Sequence, residues 1–296
     1  MVVLDPGQVP DPASRPSWPP ARDGAGGSLM IYTRGKGSFN RRRYLVFRSV
    51  NNSVMSDQDR PHRPLPPAAE RPPVLASLRY HERAADLTGR LQDEVFTYIH
   101  RTNMWGSSES TSGEGSELGA TAVLRVEIPA LLRRLDVKVM LDAPCGDFGW
   151  MRHVDLTTLD RYIGADIVAD VVDRNNARYA DEHRRFELLD LTRDRLPRAD
   201  LVLCRDCLVH LTYDQIRWAL ANIRASGAEY VLMTTFVEID ANADAATGDW
   251  RPLNFQLPPF CLPEPLCLIV EGCTEAGGAY ADKSLGLWHA ADLPVA

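Results

Sequence analysis

Four acidic residues follow four short apolar segments: Asp142, Asp166, Asp190 and Asp206, the first three at equal spacings of 24 residues. If those segments are parallel strands, the acids lie where such sheets bind ligands, beyond the strands' carboxyl ends. A carboxylate at Asp142 suits a cationic ligand group, or can orient a water on it. One at Asp166 can accept from two ribose hydroxyls, and one at Asp190 from an adenine amino group, with the Leu191 N–H offered to the ring. Together they describe a pocket for an adenosine with a positive, non-phosphorylated tail. Each acid taken singly serves as well as a helix N-cap or a turn residue. The turn after the first segment, Leu141-Asp142-Ala143-Pro144-Cys145-Gly146-Asp147-Phe148-Gly149, is neither G-x-G-x-x-G nor a phosphate loop, since no Gly-Lys-Ser/Thr follows.

A second group of residues could act on a bound molecule. His210 follows the fourth segment and titrates near working pH, so it can serve as a base; a buried or capping histidine explains it equally. Asp206 could orient a nucleophile or cap the next helix. Cys204-x-x-Cys207 has redox or zinc spacing, but no second Cys/His pair stands near it, and a buried strand already accounts for Cys204. Trp250 offers a flat wall, Arg251 a fork for carboxylate or phosphate, and Asn254 a polar neighbour. Trp105, near Tyr98 and Asn103, lies where a lid could form. Packing of a structural loop and of an N-terminal helix explains these residues equally.

The elements that must position them are legible from periodicity. Leu87, Leu91, Val95 and Ile99 form one helix stripe, and Leu124, Ile128, Leu131 and Leu135 a second, with Pro129 inside it. Between them the Gly/Ser/Glu-rich run 106–116 reads as loop. Strands are expected at 137–142, 161–166, 185–189, 200–204 and 229–236, and helices at 150–159, 169–182 and 213–225. Short apolar strands alternating with helices imply a parallel sheet. Two further strands, 265–271 and 284–289, have no helix between them and read as an antiparallel hairpin. The fold expected is α/β: a doubly wound, mostly parallel, seven-stranded Rossmann-like sheet with an antiparallel C-terminal hairpin. Helices and a lid occupy 78–136, the core 137–296, and a substrate insert about 237–262.

Residues 1–77 differ in kind. Residues 1–74 carry 12 of the 21 prolines, and eleven Lys+Arg against six Asp+Glu. With no periodic apolar face this extension is expected to be disordered, with Met55 as an alternative start. Subtraction from the chain totals of 33 basic and 40 acidic residues leaves 22 basic and 34 acidic for 75–296, net −12. So acidic a body disfavours nucleic acid as partner. No apolar run suits a membrane span and no secretory leader opens the chain, so a cytoplasmic protein with reduced thiols is expected.

The ordered set LDAPCGDFGW (141–150), YIGADIV (162–168), RFELLDLTRDRLP (185–197), ADLVLCRDCLVHL (199–211) and YVLMTTF (230–236) resembles the class I S-adenosylmethionine-dependent methyltransferases, in a bacterial, small-molecule form. The resemblance covers about residues 95–290, with Pro144 and Phe148 at positions that often hold glycine. It implies S-adenosyl-L-methionine as cofactor, contacted by Asp142, Ala143, Pro144 and Gly146 at the methionine end, Asp166 and Ile167 at the ribose, Asp190 and Leu191 at the adenine, and Arg205. It further implies His210 and Asp206 as catalytic residues, Trp105, Trp250, Arg251 and Asn254 on the acceptor, and no metal. The expected acceptor is an O or N atom of a small molecule; a non-catalytic adenosine-ligand module and a macromolecule methyltransferase are the alternatives. No nucleic-acid or membrane partner is expected, and a homodimer is left open.

Overall fold

The computed structural model describes residues 65–295 throughout, together with the backbone of residues 27–33 and 43–49. Its centre is the run of parallel strands β3 (Val139–Asp142), β4 (Arg161–Asp166), β5 (Arg184–Leu188), β6 (Leu201–Cys204) and β7 (Tyr230–Phe236). Strands β8 (Cys267–Val270) and β9 (Lys283–His289) form the antiparallel hairpin, and β9 also pairs antiparallel with β7. These seven strands lie in the order β8-β9-β7-β6-β3-β4-β5, a mostly parallel Rossmann-like sheet.

The strand order reverses at β3, where β4 lies on one side and β6 on the other. That reversal opens a crevice at the carboxyl ends of the two strands, and Asp142 ends β3 there. Period-2 alternation divides the core. Leu141, Ile163, Val202 and Val231 face one apolar layer with Ile216, Leu220 and Ile223 of α5 (Tyr213–Ala225). Met140, Tyr162, Leu203 and Leu232 face the other, with Ile128 and Leu132 of α3 (Leu124–Leu135) and Val172 of α4 (Ala169–Tyr179). Pro129 lies inside α3 without ending it.

The structure departs from the expected elements in four places. The first helix stripe is two helices, α1 (Leu75–Leu87) and α2 (Gln92–Arg101). The break falls at Gly89, whose φ of +78° is left-handed, and Leu91 is left exposed. The helix expected at 150–159 is only a short turn over Met151–His153.

Folded structure also starts before residue 78. Arg71 is fully buried, its Nη1 2.7 Å from Asp282 Oδ1 and its Nε donating to the Pro66 carbonyl at 3.1 Å. Val74 is buried, and the Tyr280 hydroxyl donates to the Pro72 carbonyl. The clamp partners stand more than 200 residues away, where periodicity cannot show them. Finally, β1 (Gly27–Thr33) and β2 (Arg43–Ser49) pair antiparallel, and β2 meets β8 at Val46↔Leu268, giving nine strands instead of seven. The rest of the extension expected to be disordered lies outside the described residues. A turn over Glu275–Gly278, with Ala276 and Gly277 in left-handed conformation, connects β8 to β9.

Candidate functional site

The floor of the crevice is built by the 142–149 turn. Asp142 is buried at the end of β3 and accepts a 2.6 Å hydrogen bond from the Tyr162 hydroxyl. Burial pushes its carboxyl up to about 7, against the smaller opposing effects of Tyr162 and Arg205. Gly146 has φ +55° and donates its N–H to Asp166 Oδ2 at 3.0 Å, while its carbonyl accepts from Asn175 Nδ2. A Cβ here would lie 2.3 Å from Ser112 Oγ, so the position requires glycine twice over. Asp166 Oδ1 accepts from the Val168 N–H, so this carboxylate ties the β3 turn to the start of α4. Burial raises it to about 6, against those backbone donors.

The roof is α2 with the 106–116 loop. Gln92, Phe96 and His100 of α2 line the crevice with Trp105. The loop is laced to the floor through Asp147, whose Oδ2 accepts from Ser110 Oγ at 2.9 Å and Thr111 N at 3.0 Å. The Asp147 N–H donates to Ser112 Oγ in return. Floor and roof bound about 1070 Å³ of space, the open mouth and its solvent included.

At the β6 side stands His210, buried, its ring stacked on Trp105 with centroids 4.6 Å apart. Burial lowers it to about 4, so the imidazole is neutral at pH 7. Its Nδ1 is 3.0 Å from the Asp249 carbonyl, which can only accept. The proton of the neutral ring is therefore assigned to Nδ1, leaving the Nε2 lone pair free.

Next to it Asp206 is committed elsewhere. Lys283 Nζ donates to its Oδ2 at 2.6 Å, and Arg205 Nη1 lies 3.3 Å away. Burial alone would raise this carboxyl; Arg205 and Lys283 outweigh burial and hold it well below the usual range. Arg205 also donates to Glu271 Oε2 at 2.7 Å and to the Gly115 carbonyl, and its guanidinium lies over the Trp150 ring. Lys283 is 3.9 Å from Glu275.

Ala143, Pro144, Ile167, Leu191 and Arg205 line the same cavity as Asp142, Gly146, Asp166, Asp206, His210 and Trp105. Four expected residues do not. Asp190 turns its Oδ1 to Thr192, accepting from N at 2.8 Å and Oγ1 at 2.6 Å, so only its neighbours Leu189 and Leu191 face the space. Trp250 packs edge-on against Phe236 and Tyr280 in a separate apolar cluster. Asn254 caps its own loop, its Oδ1 accepting from Gln256 N and its carbonyl from Asn242 Nδ2. Arg251 is buried with its guanidinium on the carbonyls of Leu208, Leu211 and Ala243, outside the cavity lining.

Sequence reasoning missed Phe96, Ser112, Asp147 and Trp150, which line the cavity, and the partners Glu271 and Lys283 behind it. The signal for Ser112 was the length of the Gly/Ser run; an eleven-residue loop beside a ligand site is more often functional than idle. For Lys283 the signal was its rarity among 30 arginines. Among the described residues no group of three or more His, Cys, Asp or Glu side chains gathers as a metal site, and all six cysteines are free.

No known protein-family model matches the chain, and no curated protein matches it. Solved structures do. Human N-acetylserotonin methyltransferase in complex with SAM is similar at 14% identity over 71% of this chain and 66% of that one, with a TM-score of 0.49. The N-methyltransferase NodS of Bradyrhizobium japonicum WM9 with S-adenosyl-L-homocysteine matches at 16% identity, over 48% of this chain and 73% of that one, with a TM-score of 0.37. The methyltransferase domain of a bacterial Hen1 matches at 14% identity, over 39% of this chain and 66% of that one, with a TM-score of 0.35.

Proposed function

We propose that this chain is an S-adenosylmethionine-dependent methyltransferase that acts on an oxygen or nitrogen of a small molecule. The observation that carries the reading is a pair of buried carboxylates, Asp142 and Asp166, that form no ion pair among the described residues and lie on the floor of the crevice at the strand-order reversal. Buried acids pushed up by desolvation mark a site that a polar or cationic ligand completes.

The residues fit the proposed cofactor. Asp166 has lone pairs left for hydroxyls beyond its two backbone bonds, and Asp142 is placed for an ammonium or sulfonium group. Val168, Leu189 and Leu191 give apolar walls for a purine. When bound, S-adenosylmethionine supplies an electrophilic methyl group. This chain's part is then to hold the acceptor in line, keep water out and take a proton. The 106–116 loop, laced to Asp147, closes the crevice from above. His210 Nε2 carries the lone pair free to accept the acceptor's proton; burial makes it a weak base, at about 4, but a stronger one than Asp206, which Lys283 and Arg205 hold lower still.

Calorimetry with the full chain tests the cofactor: S-adenosylmethionine and S-adenosylhomocysteine should bind, and NAD should not. Transfer of a labelled methyl group into a pooled metabolite extract tests the activity. His210→Ala should slow that transfer on the order of 10²–10⁴-fold with cofactor affinity unchanged. Binding without transfer into any fraction would make the chain a cofactor-binding module, and NAD binding alone would overturn the reading.

A further inference from the structure

Resting on that reading, we propose that Arg251 is a positioning residue, which fixes the tautomer and direction of His210 from outside the cavity. The short turn Leu208–His210 that carries the histidine is not held by the sheet alone. Segment 248–251 donates to four successive carbonyls, the three of that turn and that of Leu211 after it. Arg251 Nη1 donates to Leu208 at 3.0 Å, the Arg251 N–H to Val209 at 3.2 Å, the Gly248 N–H to His210 at 2.8 Å, and Arg251 Nη2 to Leu211. The same segment presents the Asp249 carbonyl to His210 Nδ1. Backbone and ring of His210 are thus held by one strap.

Arg251 is the part of this strap that only one residue type can supply. Its side chain is buried, its Nε reaches the Ala243 carbonyl, and its plane lies near the Tyr213 ring. A fork reaches the carbonyls on both sides of His210 at once; an ammonium is a single point of charge and cannot span them in one plane. The strap is pressed home by Gly248, at φ +93°, where a Cβ would stand 2.8 Å from Val95 of α2. With the strap loosened, Nδ1 loses its fixed acceptor, and the proton is free to move to Nε2. That removes the lone pair the reaction uses.

The test is ¹⁵N-histidine NMR of the full chain at pH 7, with His210→Gln identifying the signal. Wild type should show Nδ1 protonated and Nε2 bare. Arg251→Lys should show a mixed tautomer, with methyl transfer slowed on the order of ten- to a hundredfold and S-adenosylmethionine affinity within twofold. The double variant His210→Ala/Arg251→Lys should be no slower than His210→Ala alone.

An Nε2-protonated wild-type ring overturns the proposal even if every Arg251 variant fails to fold. So does an unchanged tautomer in folded Arg251→Lys, or a further loss of rate in the double variant. A mixed tautomer in Arg251→Lys together with normal transfer by His210→Ala would instead remove His210 as base and leave the positioning intact.

Discussion

Two groups of acids, one at the ends of β3 and β4 and one just after β6 and β8, are treated oppositely by the chain. On the crevice floor, Asp142 and Asp166 are buried with a tyrosine hydroxyl and backbone N–H groups as partners, and burial raises both, to about 7 and about 6. On the β6 side, Asp206 and Glu271 are matched by Arg205 and Lys283, and Asp206 is held low. The residue types are the same, and the difference is the cation. A compensated cluster has its charges paired, though Arg205 Nε and Glu271 Oε1 make no hydrogen bond among the described residues, and it braces the β6–β8–β9 region. An uncompensated pair is finished only by what binds to it.

The largest expected effect comes from making the second region resemble the first. Lys283→Met nearly keeps the side chain's length but leaves Asp206 and Glu271 to share Arg205. Removing one partner of a buried ion pair in this way costs about 3–5 kcal/mol, read from the midpoint of urea unfolding. A loss below about 1 kcal/mol would show that the cluster is not held by charge.

The opposite change should stabilise. Asp142 ionises near pH 7 when folded and near 3.8 when unfolded. Between those values the unfolded chain has released the proton and the folded one has not. The benefit of the neutral carboxyl is therefore full below about pH 4 and is lost as pH rises through 7. Asp142→Asn has no charge to bury and can still accept from Tyr162. It should gain about 2–4 kcal/mol at pH 8 and flatten melting temperature against pH between 4 and 7, leaving the weaker slope of Asp166. No gain at pH 8 would show that the carboxylate is solvated after all.

Asp166→Ala should weaken S-adenosylmethionine binding by about 1–3 kcal/mol, because hydroxyls buried on binding would lose their acceptor. Equal affinity in calorimetry would remove the ribose role. The smallest effect belongs to Asp190→Ala, whose carboxylate already serves Thr192. Its loss should be near 1 kcal/mol in folding stability and negligible in affinity. An affinity loss as large as that of Asp166→Ala would show that Asp190 turns into the crevice when ligand binds.

The comparison also separates what the chain discloses locally from what it does not. Asp142 and Asp166 were legible because each ends an apolar run, and a run that ends a strand at the crevice has only a few positions for its acid. Asp190 ends such a run too, yet two residues later a threonine captures it in a turn. Trp250, Arg251 and Asn254 share one loop with the right residue types, and all three point away from the cavity. An arginine fork fits ligand carboxylate and backbone carbonyl alike, so its type cannot say which it holds.

The amino-acid sequence by itself determined the alternating strands and helices, the antiparallel hairpin and the acids at the strand ends. Those features rest on period-2 and period-3.6 burial and on turn chemistry, which act over a few residues. Only the tertiary structure decided that a Gly/Ser run roofs the crevice through Asp147, and that Arg71 clamps Asp282 across 211 residues. It alone also decided that Arg205 finds Glu271 across 66 residues and that Arg251 straps the His210 turn. Each of these pairs is chosen by the direction of a side chain leaving one element and the distance to another. Neither quantity exists until the sheet has brought the elements together.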